Sequence, residues 1–76
     1  MKMAEAQQLY QEGKLVRAEL MRNPMNLNEW FVMLHKNSKK SFILVDENNE
    51  TIVDADLKRL LAMLKSMGFK QTVVHL

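Results

Sequence analysis

The chain has 76 residues, no cysteine and a formal net charge of +2 at neutral pH. That length allows one domain, spanning residues 1–76, and the lack of cysteine excludes disulfides and thiolate metal sites. Hydrophobic residues make up 47% of the sequence and charged residues 26%, which is the balance of a folded domain and not of a disordered chain. Because a core this small is marginally stable without a disulfide or a metal, we expect self-association to enlarge it.

No segment of the sequence has the length or composition of a membrane span. The longest apolar runs, WFVML and LLAML, contain five residues each, whereas a spanning helix needs about 20. The opening MKMAEAQQLY lacks the apolar region of a signal peptide. We therefore expect a cytoplasmic protein that has no membrane contact.

The first predicted element is a helix over residues 3–12, which are strong helix formers, with Gly13 in the position of a C-terminal cap. Residues 14–22 fit two interpretations. A strand would alternate its side chains between two faces, whereas a helix would continue the first one through Gly13 at a cost of about 1 kcal/mol relative to alanine. We favour the strand, because the hairpin that follows would otherwise have only the last strand as a partner. The alternative is one long first helix and the order α-β-β-α-β.

Two apolar runs around a basic segment predict a β-hairpin, with strands over residues 30–36 and 41–46. Its loop consists of Asn37, Ser38 and Lys39, with or without Lys40. If the loop has an even number of residues, one face of the hairpin carries Trp30, Val32, Leu34, Ile43 and Val45. The other face then carries Phe31, Met33, His35, Phe42 and Leu44. A shift by one residue would exchange the two faces of one strand.

Residues 54–67, DADLKRLLAMLKSM, predict a second helix, since their leucines recur at the i, i+3, i+4, i+7 spacing of one buried face. Asp54 is the predicted N-cap and Gly68 the predicted left-handed C-terminal cap. The closing QTVVHL predicts a last strand, which the helical crossover places parallel to its neighbour. The predicted fold is α+β with the order α-β-β-β-α-β: an antiparallel meander, then a helix and an added strand.

Both faces of the predicted hairpin are apolar, more than a sheet covered on one side needs. The first helix could cover the second face, two copies of the chain could meet there, or the face could bind nucleic acid. We expect a protein interface, either of a homodimer or with another protein. The predicted interface residues are Phe31, Met33, His35, Phe42 and Leu44. In the alternative function, Phe31 and Phe42 stack on unpaired bases, and positive charge comes from Lys36, Lys39 and Lys40.

Motifs for catalysis, cofactors and metals are absent from the sequence. The two histidines, His35 and His75, have no helix-spaced partner ligand. Neither can be placed beside a serine from the sequence alone, so no hydrolytic site is predicted. The sequence therefore predicts a small intracellular interaction module that is not an enzyme and uses no cofactor or small-molecule substrate.

Overall fold

A computed structural model describes all residues from 1 to 76. Its elements in chain order are α1 (Met3–Gln11), β1 (Leu15–Asn23), β2 (Asn26–Lys36), β3 (Ser41–Ile43), β4 (Val53–Asp54), α2 (Leu57–Ser66) and β5 (Val73–Val74). The α+β class and the α-β-β-β-α-β order are confirmed. Strand β4, which has two residues and lies between β3 and α2, was not predicted from the sequence.

The segment after the first helix is a strand, as predicted, and the long-helix alternative is not adopted. The chain leaves α1 through Gly13, whose φ of 75° lies in the left-handed region that favours glycine. The amide of Lys14 donates to the carbonyl of Leu9, and that of Gly13 to the carbonyl of Tyr10. These bonds use the free carbonyls of the last helical turn, so the helix ends there and β1 begins at Leu15.

The sheet has the strand order β3-β2-β1-β5, and β4 extends the same edge of β2 as β3. The β1–β2 and β2–β3 pairs are antiparallel. The last strand runs parallel to β1, with Val73 beside Glu19 and Val74 beside Leu20. The predicted meander followed by a parallel strand is therefore confirmed.

Four residues separate β2 from β3, but the amide of Lys36 donates to the carbonyl of Lys40, so the turn that this pair closes has three residues, Asn37 to Lys39. Lys39 has a φ of 71°, which closes the turn without a glycine. An odd loop reverses the alternation in the second strand, so Phe42 lies opposite Leu34 and Ile43 opposite Met33.

The predicted grouping of side chains is consequently wrong for β3. Leu44, whose amide donates to the carbonyl of Val32, is completely buried. Phe42 and Leu44 share a face with Leu34, which we call the core face. Ile43 lies with Phe31 and Met33 on the opposite face, which we call the open face.

Both helices lie against the core face. One cluster joins Ala6 of α1 with Leu60 and Leu64 of α2 and with the strand residues of that face. The buried residues are Ala6, Leu15, Ala18, Leu20, Trp30, Val32, Leu34, Leu44, Leu60, Leu64, Met67 and Phe69. No open-face side chain belongs to this cluster or packs on it. The explanation in which α1 covers the second face is therefore wrong.

The second helix begins at Leu57, three residues later than predicted. Its N-cap is Asp56, which accepts a hydrogen bond from the amide of Lys58 at 3.0 Å. The predicted cap, Asp54, instead ends β4 and accepts from the amide of Asp56 at 2.8 Å. Gly68 ends the helix with a φ of 106°, as predicted, and Phe69 is buried behind it. Neither helix is long and apolar enough to cross a bilayer.

Candidate protein interface on the open face

The open face is built by alternate residues of adjacent strands, as the register dictates. In β1 and β2 the pairs that face each other are Arg17 with His35, Glu19 with Met33, and Met21 with Phe31. Ile43 of β3, Val53 of β4 and Val73 of β5 extend the same face towards both edges. The result is a surface with an apolar end around Phe31 and a polar end around Glu19.

At the polar end, the carboxylate of Glu19 has cationic or imidazole neighbours on three sides. Arg17 Nε lies 2.6 Å and His35 Nε2 lies 3.1 Å from Oε1, and His75 Nε2 lies 2.5 Å from Oε2. Burial by itself would raise the pKa of Glu19. The hydrogen bonds with His75 and Arg17 and the charges of His35 and Arg17 outweigh that effect and lower its pKa. Glu19 therefore stays ionised in the middle of the sheet.

His35 also contacts a serine across the β2–β3 hairpin. Ser41 Oγ lies 2.8 Å from His35 Nδ1, a contact that could not be placed from the sequence alone. His35 Nε2 lies 3.1 Å from Glu19 Oε1 but makes no hydrogen bond to it, so Ser41, His35 and Glu19 do not form the hydrogen-bonded series of a nucleophile, a base and an orienting carboxylate. Ser41 is exposed and is the cross-strand partner of His35, and its hydroxyl orients the imidazole.

The polar end does not assemble a metal site. No group of three or more His, Cys, Asp or Glu side chains is arranged to hold a metal ion. The guanidinium of Arg17, beside Glu19 Oε1, also places a positive charge where a cation would have to bind.

At the apolar end, Phe31, Ile43 and Val53 border a shallow groove of about 360 Å³ together with Met25. Ile43 and Val53 keep 39% and 37% of their surface exposed although they are large aliphatic residues. The remaining lining residues are Asn23, Pro24 and Thr51. The groove therefore carries no charged group and suits an apolar side chain.

The tip of the β1–β2 hairpin stands beside this groove and displays two apolar side chains. Met25 is 90% exposed and Leu27 is 64% exposed. The stretch NPMNLN has the composition of a turn, and sequence reasoning missed both residues as exposed apolar side chains. The alternation of apolar residues with asparagines in that stretch was the available signal, since alternate residues of a strand share one face.

The structure brings together three of the five predicted interface residues. Phe31, Met33 and His35 share the open face and are each half-buried. Phe42 lies on the core face near its edge, and Leu44 is part of the core. The interface role remains a prediction for the first three. Sequence reasoning missed their neighbours on the same face, which are Glu19, Met21, Ile43, Val53, Val73 and His75.

The predicted nucleic-acid platform is not assembled as expected. Phe31 and Phe42 lie on opposite faces of the sheet, so they cannot present their rings to the same strand of nucleic acid. Lys36 Nζ lies 5.8 Å from the centre of the Phe42 ring and is thus directed to the core-face side. Lys39 and Lys40 are exposed at the tip of the other hairpin, between β2 and β3.

Comparison with known proteins gives no relative to which these residues can be matched: no family model, no curated protein and no solved structure matches the chain.

Proposed function

We propose that this chain is a small intracellular protein-interaction module that self-associates by packing its open face against the open face of a second copy. The observation that carries the proposal is the position of the two helices. Both lie on the core face, so Phe31, Ile43 and Val53 remain accessible on the other side of the sheet. Contiguous exposed apolar surface of this kind is typical of interaction sites.

The small size of the core supports self-association. Only 12 of the 76 residues are buried, and no disulfide links the chain to itself. A chain with so few buried residues has a small free energy of unfolding. Burial of the open face by a second copy would add apolar contact area to each subunit and stabilise the folded state.

The dimensions of the open face set the strength of the proposed contact. β1 and β2 pair at eight positions, whereas β3 and β4 together add five residues at one edge and β5 adds two at the other. With strands about 4.8 Å apart and a rise of about 3.3 Å per residue, this patch covers on the order of 350 Å². Two copies would then bury on the order of 700 Å² in total, which is less than a stable specific interface buries. We therefore expect a dimer that dissociates on dilution.

The charges of the open face are compatible with contact between two identical surfaces. Arg17 and Glu19 carry opposite charges within 2.6 Å of each other, so these two charges cancel locally. Two such surfaces can approach without a net repulsion. A nucleic acid would instead meet the carboxylate of Glu19 in the middle of the face, which disfavours phosphate binding there.

The test is the solution molar mass from low micromolar to millimolar concentration, measured by light scattering for the wild type and three variants. Phe31→Lys and Ile43→Lys place a charge on the open face, and Ala62→Lys places the same charge on the exposed side of α2 as a matched control. We expect the wild type and Ala62→Lys to reach the dimer mass, and both open-face variants to remain folded monomers by circular dichroism.

A wild type that stays monomeric throughout that range would overturn the proposal, as would dimers of both open-face variants. If Phe31→Lys and Ile43→Lys both unfold outright, the face is structural and the proposal also fails. Salt-dependent binding of a monomer to single-stranded nucleic acid, weakened by combining Lys39→Glu with Lys40→Glu, would replace it with the alternative function.

A further inference from the structure

We infer that, in the self-associated protein, the β1–β2 hairpin tip of each copy inserts Met25 into the apolar groove of the other copy. This inference rests on the proposed function and specifies the contact by which the second copy is recognised. It is carried by two features that lie side by side on one chain: a rigid tip with exposed apolar side chains and an uncharged groove.

The hairpin tip is held by its own polar side chains. Asn23 Oδ1 accepts from the amide of Met25 at 3.0 Å, and Asn26 Oδ1 accepts from the amide of Asn28 at 3.1 Å. Arg22 Nη1 donates to the carbonyl of Leu27 at 2.8 Å. Asparagine side chains that bond the backbone two residues ahead fix a turn. The tip is therefore ordered before any contact, and ordering it costs little on binding.

The guanidinium of Arg22 adds a second support. Its Cζ lies 4.5 Å from the centre of the Trp30 ring on the core face, while the same group bonds the tip at Leu27. The tip is thus tied to a buried tryptophan. The backbone of the tip is fixed in this way, and it carries Met25 and Leu27 with most of their surface exposed to solvent.

The groove fits an apolar side chain and not a charged one. Its apolar lining comes from Met25, Phe31, Ile43 and Val53, and its other lining residues are uncharged. An acidic or basic peptide would find no partner for its charge there, and burial of an unpaired charge is costly. A methionine side chain is flexible and apolar and fills irregular grooves well.

The arrangement of tip and groove favours a second copy as the occupant. Met25 itself borders the groove, so a two-fold axis close to the groove would place each tip over the groove of the other copy. The contact would then be reciprocal and would close with two subunits. A tip and groove on distant surfaces would instead generate a ring or an open chain of subunits.

The experiment measures the dissociation constant of the full chain by sedimentation equilibrium for the wild type, Met25→Glu, Met25→Leu and the control Ala62→Glu. We expect Met25→Glu to raise the dissociation constant by about tenfold or more, the effect of removing a central interface side chain. Met25→Leu and Ala62→Glu should dimerise as the wild type does. Met25 is exposed in the monomer, so the melting temperature at low protein concentration should not change.

Two results would overturn the inference, and they differ in what they mean for the proposed function. If Met25→Glu dimerises as the wild type does while Phe31→Lys does not, the open face is the interface but the tip takes no part in it. If the wild type forms no dimer at any concentration, both the inference and the proposed function fail.

Discussion

His75 Nε2 lies 2.5 Å from Oε2 of Glu19, so the residue that follows the last strand is held against the middle of the first strand. The amide of His75 also donates to the carbonyl of Leu20 at 2.9 Å. These two bonds fasten β5, which has only two residues, to the sheet. The ionised state of Glu19 therefore contributes to the stability of the sheet edge as well as to the charge of the open face.

This contact predicts a loss of stability in acid. The pKa of Glu19 is lowered in the folded protein, whereas in the unfolded chain it is about 4.3. Ionised Glu19 thus stabilises the fold fully above the unfolded pKa, and that contribution is lost as the pH falls through the folded pKa. We expect the free energy of unfolding from urea titrations to decrease below about pH 5.

The variant Glu19→Gln tests the assignment of that pH dependence. It should lower the free energy of unfolding at neutral pH by about 1 kcal/mol and flatten the decline in acid. Glu50→Gln, at an exposed glutamate in the loop before β4, serves as the control and should keep the wild-type profile. An unchanged acid decline in Glu19→Gln would show that other carboxylates, among them Glu12, whose pKa is also lowered by its bonds to Gln8 and Lys14, account for it.

The reversed alternation of β3 predicts unequal effects of two neighbouring substitutions. Leu44 is fully buried on the core face, and truncation of a buried leucine to alanine costs about 2–5 kcal/mol. Ile43 is partly exposed on the open face, so Ile43→Ala should cost less, about 1 kcal/mol or below in the monomer.

Urea denaturation of Leu44→Ala and Ile43→Ala at low protein concentration measures both costs. For a three-residue loop, we expect Leu44→Ala to be far less stable than Ile43→Ala. The reverse order would mean that the loop is even and that Leu44, not Ile43, belongs to the open face.

The parts of the fold that the sequence predicted correctly are those with a strong local pattern. The leucine spacing of α2 and the glycines at positions 13 and 68 indicate where the helices lie and end. The parallel last strand follows from the helical crossover. The residues of β1 fitted either a strand or a helix, and the strand was favoured because the hairpin needed a partner strand.

The errors have a common physical origin in loops and in long-range register. The parity of the β2–β3 loop depends on Lys39, a residue type that rarely adopts the positive φ it has here. The two-residue β4 is too short to show any periodicity. The contact of Glu19 with His75 joins residues 56 positions apart and exists only because β5 pairs with β1 in one register. None of these features leaves a local signal in the sequence.

The choice of face for α1 could not be predicted for a related reason. Its inward side chains, Ala6 and Tyr10 among them, would suit either face of an apolar sheet. The contacts that place it join residues far apart in the sequence: the Tyr10 and Phe69 rings lie 4.2 Å apart, centre to centre, and the amide of Val45 donates to the carbonyl of Met1. Because Phe69 follows the end of α2, the ring pair joins the two helices on the core face.

The turn at Gly68, directly before Phe69, predicts how the fold responds to substitution of its glycine. Gly68 has a φ of 106°, farther from the left-handed helical region than Gly13, which has a φ of 75°. A Cβ at Gly68 would meet Tyr10 at 3.6 Å, an ordinary contact, and one at Gly13 would meet nothing within 4 Å. Substitution by alanine should therefore act through backbone strain alone, at about 1–2 kcal/mol for each glycine and more for Gly68.

Thermal unfolding of Gly68→Ala and Gly13→Ala, followed by near-ultraviolet circular dichroism, separates strain from a packing change. We expect both variants to melt earlier with an unchanged aromatic signal below the transition, since strain alters the free energy and not the Tyr10–Phe69 contact. A Gly68→Ala protein that melts at the wild-type temperature would contradict the left-handed turn at the end of α2. An altered aromatic signal in the folded state would mean that the turn also sets the distance between the two rings.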